Sequence, residues 1–143
     1  PDADVLAFAL HIPYADGFGH RGASHSLLFA ILLAALAIPC ARALQASRIQ
    51  AAVFVFICAV SHPLLDALTS GGLGVALWWP WSEQRLFAPW RPIRVSPFAN
   101  NFFSTRGLQT VFSELRWVWL PLLVGVAGWR LIQHRTPASS TPP

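Results

Sequence analysis

Two long apolar runs, 24–44 and 49–69, follow one another with only 45–48 between them. A helix needs roughly 20 apolar residues to cross the hydrocarbon core of a bilayer. Each run is therefore predicted to be a membrane span, and the short connection makes the two spans antiparallel. A third segment, 107–133, becomes apolar in its second half and is predicted to be kinked at Pro121. Together these runs predict an all-α integral membrane helical bundle with three visible transmembrane helices.

The composition of the chain excludes an ordinary soluble domain. Only 11% of its residues are charged and 55% are hydrophobic, whereas soluble domains carry roughly 25% charged residues. All ten basic residues are arginines, and they are scattered without a basic stripe, so nucleic acid is not an expected partner. The net charge of +4 suits anionic lipid headgroups instead. We therefore expect a multi-pass membrane protein whose partners are lipids, and the sequence leaves its oligomeric state open.

The segment between the second and third runs, 70–106, is rich in Trp, Pro and Arg. Trp and Arg together are typical of the headgroup level, so this segment is predicted to be an interfacial loop. Residues 1–135 are predicted to form one membrane-embedded domain, and 136–143 a flexible C-terminal tail. The chain opens at Pro1 without a methionine or a signal peptide, and we expect one further helix upstream.

Ionisable residues in or beside membrane spans are energetically costly and by default indicate function. Here they occur in three short strings near the predicted helix ends. His62 and Asp66 are four residues apart on a helix, so they share one face. Because the two spans are antiparallel, this pair lies at the same membrane face as His25, which opens the first span. The candidate residues are Asp2, Asp4, His20, Arg21, His25, His62 and Asp66.

Imidazoles and carboxylates together form a ligand set that suits zinc, manganese or iron. The set exceeds the needs of one tetrahedral ion, so we expect one or two divalent transition-metal ions, zinc or manganese. Each residue taken singly has an ordinary alternative. A His at a helix end is more often a capping or interface residue, Asp66 can accept hydrogen bonds near the headgroups, and Asp2 and Asp4 can stabilise a turn. Their joint convergence on one face favours a metal site.

The order and spacing of these strings resemble the YdjM-like family of bacterial inner-membrane proteins. The matching strings are P-D-x-D, then H-R-G-x-[ST]-H-S-L, then S-H-x-x-x-D-x-x-T, then W-P-[FW]-S, over residues 1–97. The chain has Ser24 where Thr is common and Ser70 where Pro is common, and neither departure removes a candidate ligand. The resemblance implies a metal-dependent hydrolase of the inner membrane, phospholipase-like in its chemistry.

The resemblance also implies a role for each matching position. Asp2 and Asp4 match the paired acids, and they would be further ligands, or one of them the base that takes a proton from metal-bound water. Arg21 would orient the phosphate of a lipid phosphoester, although a solvated loop charge is an equal alternative for it. The fourth string, at Trp79, Pro80 and Ser82, carries no catalytic role. The predicted metal ligands are Asp4, His20, His25, His62 and Asp66.

Two other functions remain open on the sequence. A non-enzymatic metal transporter or metal-binding protein shares the ligands, although transport sites usually lie near the bilayer midplane and not at the ends of spans. A structural membrane subunit without metal is the other alternative. The arginines that flank the spans divide four against five between the two sides, so the positive-inside rule does not assign the site to either membrane face.

Overall fold

The computed structural model describes residues 1–97 and 102–135, so the predicted tail at 136–143 lies outside the described residues. These described residues form helices and turns, without strands, and carry one isolated antiparallel bridge between Val75 and Leu86. The predicted all-helical fold class is thereby confirmed.

The chain divides into two compact units, Pro1–Arg91 and Pro92–Pro143. The first unit contains every candidate site residue. Its elements are a 3-10 turn at Asp2–Val5, α1 (Leu6–Ala9), a 3-10 turn at Ala23–His25, α2 (Leu27–Ala37) and α3 (Arg48–Ala67).

Serine side chains set the starts of α2 and α3. Ser26 accepts a hydrogen bond from the backbone N–H of Phe29 and is the N-cap of α2. Ser47 and Gln50 form a reciprocal capping box at the start of α3, an arrangement that satisfies two N–H groups left open by the first turn. The side chain of Ser24, an equally good cap by its chemistry, is turned to the site instead.

Among the described residues, two helices are long and apolar enough to cross a membrane: α3 and the continuous helix Thr105–His134. Helix α2 has 11 residues, about 16 Å at 1.5 Å per residue against a hydrocarbon core of about 30 Å. The prediction of three transmembrane helices is therefore not confirmed. Helix α2 ends at Ala37 because Pro39 cannot donate a backbone hydrogen bond, and separate turns carry the chain on to Leu44.

Helices α2 and α3 pack through small residues. Ala30 and Ala34 are buried on one face of α2, and Ala51 is buried on α3. Small side chains let two helix backbones approach closely, which is how helices associate where lipid replaces water. Larger apolar side chains such as Ile31 and Phe54 point outward, as expected of a lipid-facing surface.

The part of the Trp-, Pro- and Arg-rich segment that belongs to the first unit, 70–91, returns onto the loop that precedes α2. The backbone N–H of Ala76 donates to the carbonyl of Arg21, and that of Leu27 donates to the carbonyl of Leu77, both at 3.0 Å. These bonds hold the segment against the polar strings and leave several indoles exposed: Trp78, Trp81 and Trp90.

The second unit contains one long interrupted helix: α4 (Thr105–Glu114), a π-helical turn (Leu115–Trp119) and α5 (Leu120–Arg135). Pro121 lies just beyond the π-helical turn. A proline leaves the preceding carbonyls without their usual donor, and helices commonly absorb that defect by local widening. The interruption thus falls where the sequence predicted a kink.

Candidate metal centre

Four candidate ligands converge at the end of α3. The Nε2 atom of His25 lies 3.1 Å from Oδ2 of Asp66 and 3.8 Å from Oδ1 of Asp2. The Nε2 atom of His62 lies 3.6 Å and 3.3 Å from the same two oxygens. Two ligands bound tetrahedrally to one ion at about 2.1 Å lie roughly 3.4 Å apart. The observed separations therefore match the ligand shell of a single metal ion.

Three of these four donor atoms have no hydrogen-bond partner among the described residues: Nε2 of His25, Nε2 of His62 and Oδ2 of Asp66 are all buried. Buried polar atoms are nearly always satisfied, and exceptions call for an explanation such as an ion. Two imidazole nitrogens and a carboxylate oxygen that face one another unsatisfied are the donor set of a divalent transition metal. The residues present therefore fit a metal.

The centre is closed on one side and open on the other. The His25 side chain is fully buried, and that of Asp66 is 15% exposed. The side chains of His62 and Asp2 are 33% and 64% exposed. An open side is what distinguishes a catalytic metal site from a closed structural one.

Asp4 lies behind His25 and not in the group of four. Its Oδ2 atom lies 3.0 Å from Nδ1 of His25 and accepts hydrogen bonds from the Ser24 hydroxyl at 2.6 Å and from the backbone N–H of Arg21 at 3.0 Å. A carboxylate on the far nitrogen of a ligating His fixes the tautomer and the ring orientation. Asp4 thus turns Nε2 of His25 toward the other three ligands.

His20 pairs with the other oxygen of Asp4. The distance from Nδ1 of His20 to Oδ1 of Asp4 is 2.6 Å, and both side chains are buried. Asp2, Asp4 and His20 form a second group whose donor atoms lie within 4.8 Å of one another. The short pairing of His20 with Asp4 means that a second ion at this place would have to displace an existing hydrogen bond.

Arg21 is buried and holds Asp66. One terminal nitrogen donates to Oδ1 of Asp66 at 2.7 Å, and the other donates to the Thr69 hydroxyl at 3.0 Å and to the carbonyl of Gly71 at 3.2 Å. Arg21 adopts a positive φ of 62°, a backbone conformation uncommon outside glycine. Both terminal nitrogens are therefore committed to positioning the end of α3.

The pKa values of Asp4 and His25 reflect this pairing. Burial raises the pKa of Asp4, but hydrogen bonds from His20, His25 and Ser24 lower it by more, and the carboxyl group remains ionised well below its usual range. Burial lowers the pKa of His25, but the carboxylates of Asp4 and Asp66 raise it above its ordinary value. The site is thus an electronegative environment that attracts cations.

Close backbone packing holds the loop that carries His20 and Arg21. A methyl group added at Gly22 would lie 2.2 Å from the carbonyl oxygen of Gly17, so only glycine fits there. The Arg85 guanidinium donates to the backbone carbonyls of Tyr14, Asp16 and His20, each at 2.9 Å. These hydrogen bonds from Arg85 hold the loop that carries His20 and Arg21 in place.

Three residues of the site were not among the sequence candidates: Ser24, Thr69 and Arg85. Ser24 belongs to the H-R-G-x-[ST]-H-S-L string and Thr69 to the S-H-x-x-x-D-x-x-T string. Their positions in these strings could have marked them as site residues. Arg85 is separated by at least 65 residues from the three loop carbonyls that it binds, and no local pattern marks these contacts. The structure brings all seven sequence candidates into one cluster. Metal ligation by Asp4, His20, His25, His62 and Asp66 stays a prediction.

Comparison with known proteins is consistent with this picture of a membrane protein. The chain is 47% identical over 134 residues to Inner membrane protein YbcI of Escherichia coli (strain K12), covering 91% of this chain and 78% of that protein. No solved structure matches the chain at a significant level. The model of the family described as YdjM inner membrane protein matches residues 1–136. The chain therefore belongs to the YdjM inner membrane protein family, and it is a protein of the inner membrane.

Proposed function

We propose that Asp2, His25, His62 and Asp66 bind one divalent transition-metal ion, and that the protein is a metal-dependent hydrolase acting on a phospholipid-like phosphoester at the membrane interface. One observation carries the proposal. Four donor atoms on two separate turns and one long helix face one another, with 3.1–3.8 Å between each imidazole nitrogen and each carboxylate oxygen, and three of the four are buried without hydrogen-bond partners among the described residues.

The charge of the cluster supports a divalent cation. Asp2, Asp4 and Asp66 are carboxylates, Arg21 is the one guanidinium among the seven candidates, and the imidazoles ligate in their neutral form. The cluster then carries two net negative charges, which one divalent ion neutralises. Zinc and manganese both accept this mixture of nitrogen and oxygen ligands.

The residues around the ligands keep them in place. Asp4 orients His25 from behind, and Arg21 holds one oxygen of Asp66 so that the other faces the imidazoles. This assigns Arg21 to positioning Asp66, whereas the sequence pattern predicted that it orients phosphate. When bound, a divalent ion polarises a phosphoryl oxygen and acidifies water. Asp2 is the carboxylate on the open side, and its Oδ1 atom is the one that faces the imidazoles, so Oδ2 is the atom left to accept a proton from an incoming water.

The place of the cluster in the chain supports a lipid substrate. The His62 and Asp66 side chains lie in the last turns of α3, a helix long enough to span a membrane, and His25 immediately precedes the apolar helix α2. A cluster at the end of a span lies near the headgroup level, where the phosphoester of a phospholipid also lies.

Metal content is the first test. Elemental analysis of the detergent-purified full chain is expected to give about one equivalent of transition metal per chain, lost in the double variant His62→Ala/Asp66→Ala. The matched control is His134→Ala, which removes an exposed imidazole in the second unit and is expected to keep the metal. Absence of metal from the wild-type chain, even after reloading, would contradict the proposal.

Hydrolysis is the second test. Wild-type chain loaded with zinc or manganese is incubated with a panel of phospholipids in mixed micelles, and release of headgroup or inorganic phosphate is measured. Release that disappears in His62→Ala/Asp66→Ala supports a hydrolase. A chain that holds metal and releases nothing from the panel is a metal-binding protein and not a hydrolase.

A further inference from the structure

A groove of about 380 Å³ opens beside the cluster, between the start of α2 and the Trp-rich segment. Its volume is within the range of small-molecule sites, about 300–1,000 Å³. The walls are formed by large apolar side chains: Phe18, Leu28, Phe29, Leu32 and Trp79.

The polar end of the groove is formed by Asp4, the carboxylate that lies behind His25 in the candidate metal centre. Asp4 and Ser24 complete the lining, and they are hydrogen-bonded to each other at 2.6 Å. Asp4 is in turn 3.0 Å from His25. The groove therefore runs from the carboxylate that orients a proposed ligand to an apolar wall on α2.

We propose that this groove binds an acyl chain of a membrane phospholipid. Asp4 and Ser24 already bond to each other, and most of the remaining lining is apolar, so the groove offers little to a polar ligand. A hydrocarbon chain needs no hydrogen bonds and gains free energy from burying each methylene.

The lipid bilayer around the protein is the source of the hydrocarbon chain. The protein belongs to an inner-membrane family, and Phe18 and Leu32 are 64% and 52% exposed. Leu32 shares α2 with the exposed residues Ile31 and Leu36, which are expected to face lipid. An acyl chain can therefore enter the groove sideways from the bilayer and lie along α2.

The test uses a phosphatidylglycerol that carries a photoreactive diazirine at the end of one acyl chain. The full chain in detergent is irradiated with this probe, and the labelled residues are mapped by mass spectrometry. Label is expected to concentrate on Phe29, Leu32 and Trp79. Label spread evenly over exposed apolar residues of α3, such as Phe54 and Ile57, would overturn the proposal.

A matched pair of variants sharpens the result. Leu32→Trp fills the far end of the groove, and Ile31→Trp adds the same bulk at the next position, which does not line it. Excluding two methylenes is expected to lower labelling of Trp79 about 15-fold in Leu32→Trp, at roughly fourfold per methylene. Ile31→Trp is expected to label like the wild type, and equal labelling of both variants contradicts the proposal.

Metal analysis of the same samples separates the groove from the proposed hydrolase. Both Trp variants are expected to keep the metal, because neither residue belongs to the cluster. Groove labelling in a chain that binds no metal supports the lipid groove and overturns the hydrolase. Metal and hydrolysis without groove labelling support the hydrolase and overturn the groove. If either variant fails to fold, the distribution of labelled residues in the wild-type protein tests the lipid groove on its own.

Discussion

The Oδ2 atom of Asp4 lies 3.0 Å from Nδ1 of His25, while Nε2 of the same ring faces Asp66 at 3.1 Å. One carboxylate thus orients the imidazole and another shares its metal-facing side. This relationship separates the two acids of the first string. Asp4 supports a ligand, and Asp2 stands among the proposed ligands themselves.

Asp4→Asn is expected to weaken metal binding by about 10- to 100-fold without abolishing it, because supporting carboxylates contribute that much to metal affinity. The amide keeps the shape of the side chain but accepts fewer hydrogen bonds from Ser24 and the histidines. The measurement is a metal titration in detergent. Asp16→Asn, an exposed acid in the same loop, is the control. Unchanged affinity in Asp4→Asn would remove the supporting role.

Arg21→Ala is expected to lower the free energy of unfolding by up to about 3 kcal/mol, since it removes the guanidinium partner of the largely buried Asp66 carboxylate. Metal affinity falls too, because Asp66 loses the group that orients it. Thermal melting and metal titration report the two effects. Arg91→Ala removes an exposed arginine that stacks on Phe87, and it is expected to change little. A stable Arg21→Ala protein with normal metal content would favour the phosphate-orienting role instead.

Added metal is expected to stabilise the folded chain by mass action. Free zinc at about 100 times its Kd raises the free energy of unfolding by roughly 2.7 kcal/mol, and a chelator reverses the gain. The measurement is the melting temperature in detergent with and without zinc. Asp2→Asn is expected to need more zinc for the same shift, because a neutral amide is a poorer ligand. A melting temperature insensitive to zinc in the wild type is the contrary result.

Gly22→Ala is expected to destabilise the loop that carries His20 and Arg21. The added methyl group lies 2.2 Å from the carbonyl oxygen of Gly17, and forced overpacking costs about 1–3 kcal/mol. Gly125→Ala is the matched control, because the space around Gly125 is open and alanine is the better helix former, by up to about 1 kcal/mol. Denaturation of both variants should show opposite signs, and a loss of equal size in both would contradict the packing argument.

The sequence predicted the class of protein and the meeting of three site residues. Apolar composition and run length identified a helical membrane protein, because a bilayer demands long apolar helices. The i,i+4 spacing of His62 and Asp66, with a short connection between antiparallel segments, placed His25 beside them. These inferences depend on local periodicity and on one short loop, so they could be made without the tertiary structure.

The tertiary structure decided what depends on distant contacts. Arg85 reaches backbone carbonyls at least 65 residues away, and that tether sets the path of the loop before α2. On this path Arg21 pairs with Asp66, and Asp4 lies behind His25. Run length overestimated α2 because hydrophobicity does not register the hydrogen bond that Pro39 removes. Hydropathy and spacing report what a segment is, whereas the partner of each polar atom is set only when the whole chain packs.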